Sequence, residues 1–471
     1  MSEKIEYPEL APELEKGWNW KALKYFGAGA IMASVTIGSG ETLSASRGGA
    51  VFGYVMMWAL VASAIMKGVQ VYTGARHFTL TGVHPMTHWG QIPGPKNWVP
   101  WFFAILSIAC FPFWLSGLPL MIGQIINWVA GIPTDHPQFL LYARTWGSVC
   151  IIVAVALTFF QGYGLLEKVQ TVIVALLLVS MLIACFAAQP DWMAALAGLI
   201  PSMPAYEPWV VEKYPKVAAT PVIEEVGWYL GAIGGGTYDY LGYIGCMREK
   251  KWGLIGRKQQ GAIAEDEANI RRGKRWLIPA KTDVGLGFFC VLVFTICFTV
   301  LGAVVLHPQE QVPEGFSLFS YQAQFLTQFH GSLEYLYKVG IFMAFFGTIY
   351  GAYEIYIRTA QECLRPVSQK IQDMPERKFR NIILAYCALG GLGLMWTAPD
   401  AVSLVKPAAI IGGVFTCGLW CFAMIWADKK FVPKALQMGP VLLILTIVSG
   451  VVLTCLGLKA IIAYVQGFFG G

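Results

Sequence analysis

The chain has 471 residues, 56% hydrophobic and 13% charged, with a formal net charge of +6. That much apolar surface exceeds what one globular core hides, which excludes a soluble single-domain protein and implies a polytopic membrane protein. The positive charge gathers in two loops, so it reads as membrane topology and not as a nucleic-acid surface.

Residues 1–24, "MSEKIEYPELAPELEKGWNWKALK", are polar and acidic at the start and lack the basic and short apolar regions of a signal peptide. They are expected to form a cytoplasmic N-terminal segment. A bilayer-length window of about 20 residues then places eleven spans. They fall near 25–49, 52–76, 98–121, 146–164, 167–188, 225–246, 283–306, 337–358, 379–397, 399–426 and 437–465. Ten Lys and Arg residues lie between Arg248 and Lys281, and Arg365, Lys370, Arg377, Lys378 and Arg380 follow the eighth span. Both loops belong inside by the positive-inside rule, which also puts the N-terminus inside, as in a bacterial cytoplasmic membrane.

The first span is interrupted by "IGSGET", residues 37–42, which sets two glycines, a serine and a glutamate at mid-membrane depth. The sixth, "EEVGWYLGAIGGGTYDYLGYIGCM", repeats the device with Gly234, Gly235 and Gly236 followed by Thr237, Tyr238 and Asp239. Glycine disfavours helix, and unwound backbone survives in a bilayer only where protein or a wet cavity satisfies it. Matched breaks five spans apart predict a five-plus-five inverted repeat with substrate bound at the breaks. The expected organisation is a first repeat over 25–188, an extracytoplasmic loop over 189–224, a second repeat over 225–426, and an eleventh helix with the C-terminus over 427–471. Three basic residues fall within spans: Arg47, Lys67 and Lys406. Arg47 and Lys67 read as structural, paired with carboxylates or carbonyls. Lys406 reads either as a substrate-site cation or as a lysine that snorkels to the outer interface. Most of the eleven cysteines sit in apolar runs and read as small hydrophobes, Cys417 and Cys421 included.

"GSGETLSASRGGAVFGY", residues 38–54, resembles without a gap the NRAMP metal-transporter segment that starts Asp-Pro-Gly-Asn and ends Gly-Ala-x-Phe-Gly-Tyr. "LEKVQTVIVALLLVSMLIACFAAQPDW", running on to "GLIPSMP", is similar to that family's fifth helix and following loop. The resemblance implies an all-α, LeuT-like fold with discontinuous helices 1 and 6. It also implies a secondary transporter working by alternating access. The departures decide the expected cargo. On this register the family's metal-binding Asp and Asn become Gly38 and Glu41, and its Met-Pro-His becomes Tyr238, Asp239 and Tyr240. The third span carries no acidic residue, and all six histidines fall in predicted loops or at helix ends.

Transition-metal transport is therefore not expected. Glycines that bare N–H groups at half-helix starts, hydroxyls and nearby positive charge favour a small inorganic anion. The NRAMP-related bicarbonate transporters make bicarbonate the first candidate. The alternative is Mg²⁺, held by Glu41 and Asp239, as in an NRAMP-related magnesium branch; each carboxylate also reads as a helix cap, Glu41 above all. The expected substrate-binding set is Gly38, Ser39, Gly40, Glu41, Thr42, Gly235, Gly236, Thr237, Tyr238, Asp239, Tyr240 and Lys406. No cofactor and no resident metal are expected, Na⁺ or a proton is the candidate coupling ion, and the lipid bilayer is the only other partner. Enzyme activity is not expected, because no nucleophile–base pair, HExxH or phosphate loop is written. A receptor would need a ligand-facing domain larger than the loops 189–224 and 307–334.

Overall fold

The computed structural model describes residues 4–27, 29, 37–160, 172, 179–180, 182–257, 261–313 and 317–469. Every element among them is helical apart from a β-bridge between Ile5 and Ile263. Eight described helical stretches are long and apolar enough to cross a bilayer. Three of the eleven expected spans are not counted separately, for different reasons. The first runs on into the second, the sixth is split into halves too short to cross, and the fifth lies largely outside the described residues.

The first crossing contains a π-helical segment, Ile37–Ala45, followed by α1 (Ser46–Phe52), and turns directly into α2 (Met57–Thr81). Next come α3 (Trp98–Val129), which holds Pro112 and Pro119 in its interior, and α4 (Phe139–Phe160). The loop 189–224 is built of short helices, Trp192–Ala197, Pro208–Lys213 and Pro215–Ala218. The sixth crossing consists of α5 (Val222–Ala232) and α6 (Thr237–Cys246), with non-helical backbone between them. Then follow α7 (Glu267–Leu301), α8 (Leu333–Leu364) and α9 (Glu376–Thr397). The tenth crossing is α10 (Ala401–Ile410), a π-helical stretch Ile411–Phe415 and α11 (Thr416–Phe431), and α12 (Pro440–Phe469) closes the chain.

The seventh helix starts well before the expected position near 283. Asp266 caps it by accepting the Asn269 N–H at 2.9 Å, so much of the basic loop is helical. Asp400 does the same for α10 through Ser403 N–H at 2.9 Å.

Packing follows the expected repeat. α2 packs on α7, α3 on α8 and α4 on α9, so spans at equivalent places in the two halves meet one another. α12 lies outside this pattern, against α5, α11, α2 and the π-helical stretch of the tenth crossing. The N-terminal segment is not a loose tail. Tyr7 is buried, its hydroxyl donates to the Leu80 carbonyl at 2.9 Å, and its N–H donates to Asn269 Oδ1 at 2.7 Å. It joins Leu254, Ile270, Val432 and Leu436 in a small second core that straps the ends of α2, α7 and α11 together.

Candidate ion site where two broken helices meet

The two interruptions touch. A Cβ built on Gly40 would come within 1.9 Å of the Ala232 carbonyl oxygen, so only glycine lets the first crossing lie against the end of α5. The first break is not unwound in the way the sequence suggested. Ile37–Ala45 keeps a helical course with wide π turns, and hydroxyls satisfy some of its carbonyls: Ser44 donates to Gly40 O, and Ser46 to Thr42 O at 2.6 Å. The Gln322 amide also donates to Thr42 O and to Ser46 Oγ. Of Gly38, Ser39 and Glu41 only the backbone course is described, so the side-chain roles expected of Ser39 and Glu41 lie outside the described residues.

The second break is non-helical, and Gly234 and Gly235 hold φ of 76° and 81°, the left-handed region that favours glycine. This conformation turns the Ile233 and Gly235 carbonyls toward α2, beside that of Gly231. The Lys67 ammonium, fully buried, donates to the carbonyls of Gly231, Ile233 and Gly235 at 2.9, 2.6 and 2.7 Å. Tyr240 supports the same turn, its hydroxyl donating to Gly234 O at 2.6 Å and Gly235 O at 3.3 Å. Its hydroxyl therefore braces the break.

At the start of α6, Asp239 Oδ2 accepts the Gly236 N–H at 2.9 Å. This corrects the expected bare anion cradle, since a carboxylate already caps that amide. Asp239 Oδ1 and the Tyr238 hydroxyl are buried and have no hydrogen-bond partner among the described residues. The Tyr238 ring lies beside Trp114 and edge-on to Tyr356, with centroids 6.2 and 6.0 Å away, and Tyr356 stacks on Phe111. Thr237 Oγ1 accepts from Thr416 at 2.9 Å and lies 3.4 Å from the Cys417 thiol. The tenth crossing is thus a third wall, with Thr416 and Cys417 beside its π-helical stretch. Nothing in the sequence marks Thr416, and Cys417 reads there as a small packing hydrophobe.

Lys406 is not at the breaks as a free cation. Its ammonium lies 2.6 Å from Glu224 and 3.2 Å from Glu225, while Arg47 reaches Glu225 at 3.4 Å. Both cations also lie over the Trp228 ring, at 5.5 and 5.8 Å. Two cations and two carboxylates thus join α1, α5 and α10 on the predicted outer side. Correspondingly, on the predicted inner side Asp283 of α7 accepts the N–H groups of Gly27 and Gly29 at 2.8–3.0 Å and the Tyr243 hydroxyl at 2.7 Å. The histidines lie elsewhere. His77 pairs with His88 at 2.7 Å, His307 with the Ala50 carbonyl at 2.9 Å, and His136 and His330 sit in loops. His84 caps a short inner helix, and burial pushes its imidazole down to about 4, which keeps it neutral.

Residues 29–213 match the family model described as natural resistance-associated macrophage protein-like, Nramp. No curated protein sequence matches the chain. Among solved structures, two single-site variants of the Eremococcus coleocola manganese transporter align at TM-score 0.69 and 17% identity, covering 100% of this chain and 91% of theirs. Mhp1, a nucleobase-cation-symport-1 family transporter in a closed conformation, aligns at TM-score 0.51 and 13% identity, covering 94% of this chain and 93% of its own. The chain is accordingly a multi-pass membrane protein of LeuT-like fold, NRAMP-related in sequence over residues 29–213.

Proposed function

We propose that this protein is a secondary transporter that carries a small inorganic oxyanion, with bicarbonate the first candidate, by alternating access at the two breaks. The observation that carries this reading is the Lys67 ammonium, a positive charge built into the second break. A divalent metal brought to the same place would meet that charge, whereas an anion is attracted by it. The two open atoms at the start of α6 refine the choice. The Tyr238 hydroxyl can donate to an oxyanion. The Asp239 Oδ1 would repel a simple halide, but bicarbonate brings its own O–H and can donate to a carboxylate. The residues Tyr238, Asp239 and Tyr240, standing where the resembled family has Met-Pro-His, offer hard oxygen atoms and no soft ligand.

The cycle then uses the two polar locks. Separation of Lys406 from Glu224 and Glu225 frees α10 from α5 and opens the outer side. Release of Gly27 and Gly29 from Asp283 lets the first crossing swing from α7 and opens the inner side. Opening one while the other holds is alternating access.

Asp239 Oδ1 also favours a second reading. An open carboxylate oxygen at a break is a first ligand for a hard cation, and the similar solved structures include a manganese transporter. The deciding experiment is flux into liposomes carrying the purified protein, with labelled bicarbonate, Mg²⁺ and Mn²⁺ compared side by side. Saturable bicarbonate uptake with flat metal signals is expected. Saturable Mn²⁺ or Mg²⁺ uptake without bicarbonate uptake replaces the anion with a cation.

A further inference from the structure

The geometry points to a monovalent-cation site at the end of α5 that is permanently filled by the chain's own lysine. Three main-chain carbonyls, those of Gly231, Ile233 and Gly235, converge on the Lys67 ammonium at 2.6–2.9 Å. They lie at the C-terminal end of a half-helix, where the last carbonyls have no partner in the helix and the backbone dipole favours positive charge. A ring of carbonyls replaces the hydration shell of an ammonium as it replaces that of an alkali ion. Two features show that this is a built site. The left-handed Gly234 and Gly235 turn the chain at the end of α5 so that the Ile233 and Gly235 carbonyls join that of Gly231, and the Tyr240 hydroxyl donates to the Gly234 and Gly235 carbonyls of the same turn. The lysine stem lies along the turn, with Lys67 Cδ 3.5 Å from where a Cβ on Gly234 would stand.

Carbonyls at unwound half-helix ends are where broken-helix transporters of this architecture can coordinate a coupling ion. Here that place is taken by a cation that cannot leave. The Lys67 ammonium does the structural work of a bound alkali ion, keeping the second break in shape in every step of the cycle. Na⁺ and K⁺ therefore have no role at this cage in the parent protein. Removing the side chain should hand the site to an ion from solution. The inference assumes nothing about the transported substrate.

The test is thermal unfolding of the purified full-length protein in NaCl, KCl, methylammonium chloride and choline chloride at equal ionic strength. Choline is too large to enter the cage. The parent's Tm in each of the four salts is the baseline, and rescue is the gain beyond it. Lys67→Ala should unfold at lower temperature in choline and regain more than half of that loss in at least one of Na⁺, K⁺ and methylammonium. Lys67→Met fills the volume with an apolar chain and should stay low in every salt. If Lys67→Ala cannot be extracted folded in choline, the yield of monodisperse protein in the four salts is the readout, and recovery only with a small cation supports the site. A Lys67→Ala protein whose shortfall from the parent is the same in all four salts, or that is recovered in none, overturns the inference. Bicarbonate flux can fail while this rescue succeeds, and the reverse, so the two readings are separable.

Discussion

Replacing Lys406 with Ala should loosen the predicted outer side and leave the inner side as it is. The ammonium lies 2.6 Å from Glu224 and 3.2 Å from Glu225, and its side chain is only 12% exposed, so water screens the interaction weakly. A hydrogen bond to a charged group contributes roughly 1.5–3 kcal/mol, and two are lost. Glu225 keeps Arg47 at 3.4 Å, so its loss is partly covered. Glu224 loses the one cation beside it among the described residues, and a buried charge left uncompensated is costly. Counting one such bond in full, the closed outer side weakens by about 1.5–3 kcal/mol, which multiplies the population of the separated state roughly 10- to 150-fold. Hydrogen–deuterium exchange reads that population directly where opening is fast. Amides of α5 and α10 should exchange faster in Lys406→Ala, while those of residues 267–282 of α7 should not change. Adding Glu224→Gln removes the uncompensated carboxylate and should slow exchange again. If Lys406→Ala exchanges as the parent does, or the double variant exchanges no more slowly than the single, the four-charge lock is not what holds α5 to α10.

What the sequence made legible was the backbone. Three consecutive glycines in a span can hardly remain helical, and the sixth crossing is broken where they stand, with two of them in the left-handed region. The first break was located but not its form, because serines that follow the glycines feed their hydroxyls to the loosened carbonyls and hold a π-helical course. Long-range partners were the part that local patterns do not carry. Lys67 was read as structural, yet its three acceptors lie 164, 166 and 168 residues away and become a cage only when α2 meets the second break. Lys406 reads from its span alone as a substrate-site cation or a snorkelling lysine. The pair Glu224–Glu225 at the head of the sixth span was the available signal against that, since two carboxylates entering a membrane call for two cations, and Arg47 and Lys406 answer them.

Two further substitutions probe the breaks themselves. Gly40→Ala drives a methyl into the Ala232 carbonyl, 1.9 Å from the ideal Cβ, and should lower Tm sharply or abolish recovery of monodisperse protein; Gly285→Ala in α7, where a Cβ meets nothing within 4 Å, is the internal control and should be neutral or stabilise by up to about 1 kcal/mol through helix propensity. A Gly40→Ala protein as stable as Gly285→Ala would mean that the two broken crossings do not touch there. Tyr238→Phe separates a structural role from a ligand-binding one. The hydroxyl is buried without a partner among the described residues, so deleting it removes an unsatisfied polar atom and should leave Tm unchanged or slightly raised. If that hydroxyl donates to the transported oxyanion, the apparent affinity for bicarbonate should fall roughly 10- to 150-fold, the loss of one hydrogen bond to a charged acceptor of roughly 1.5–3 kcal/mol. The opposite pattern, a lower Tm with unaltered affinity, would place the hydroxyl in packing alone and leave Asp239 and the Lys67 charge as the groups that face the ion.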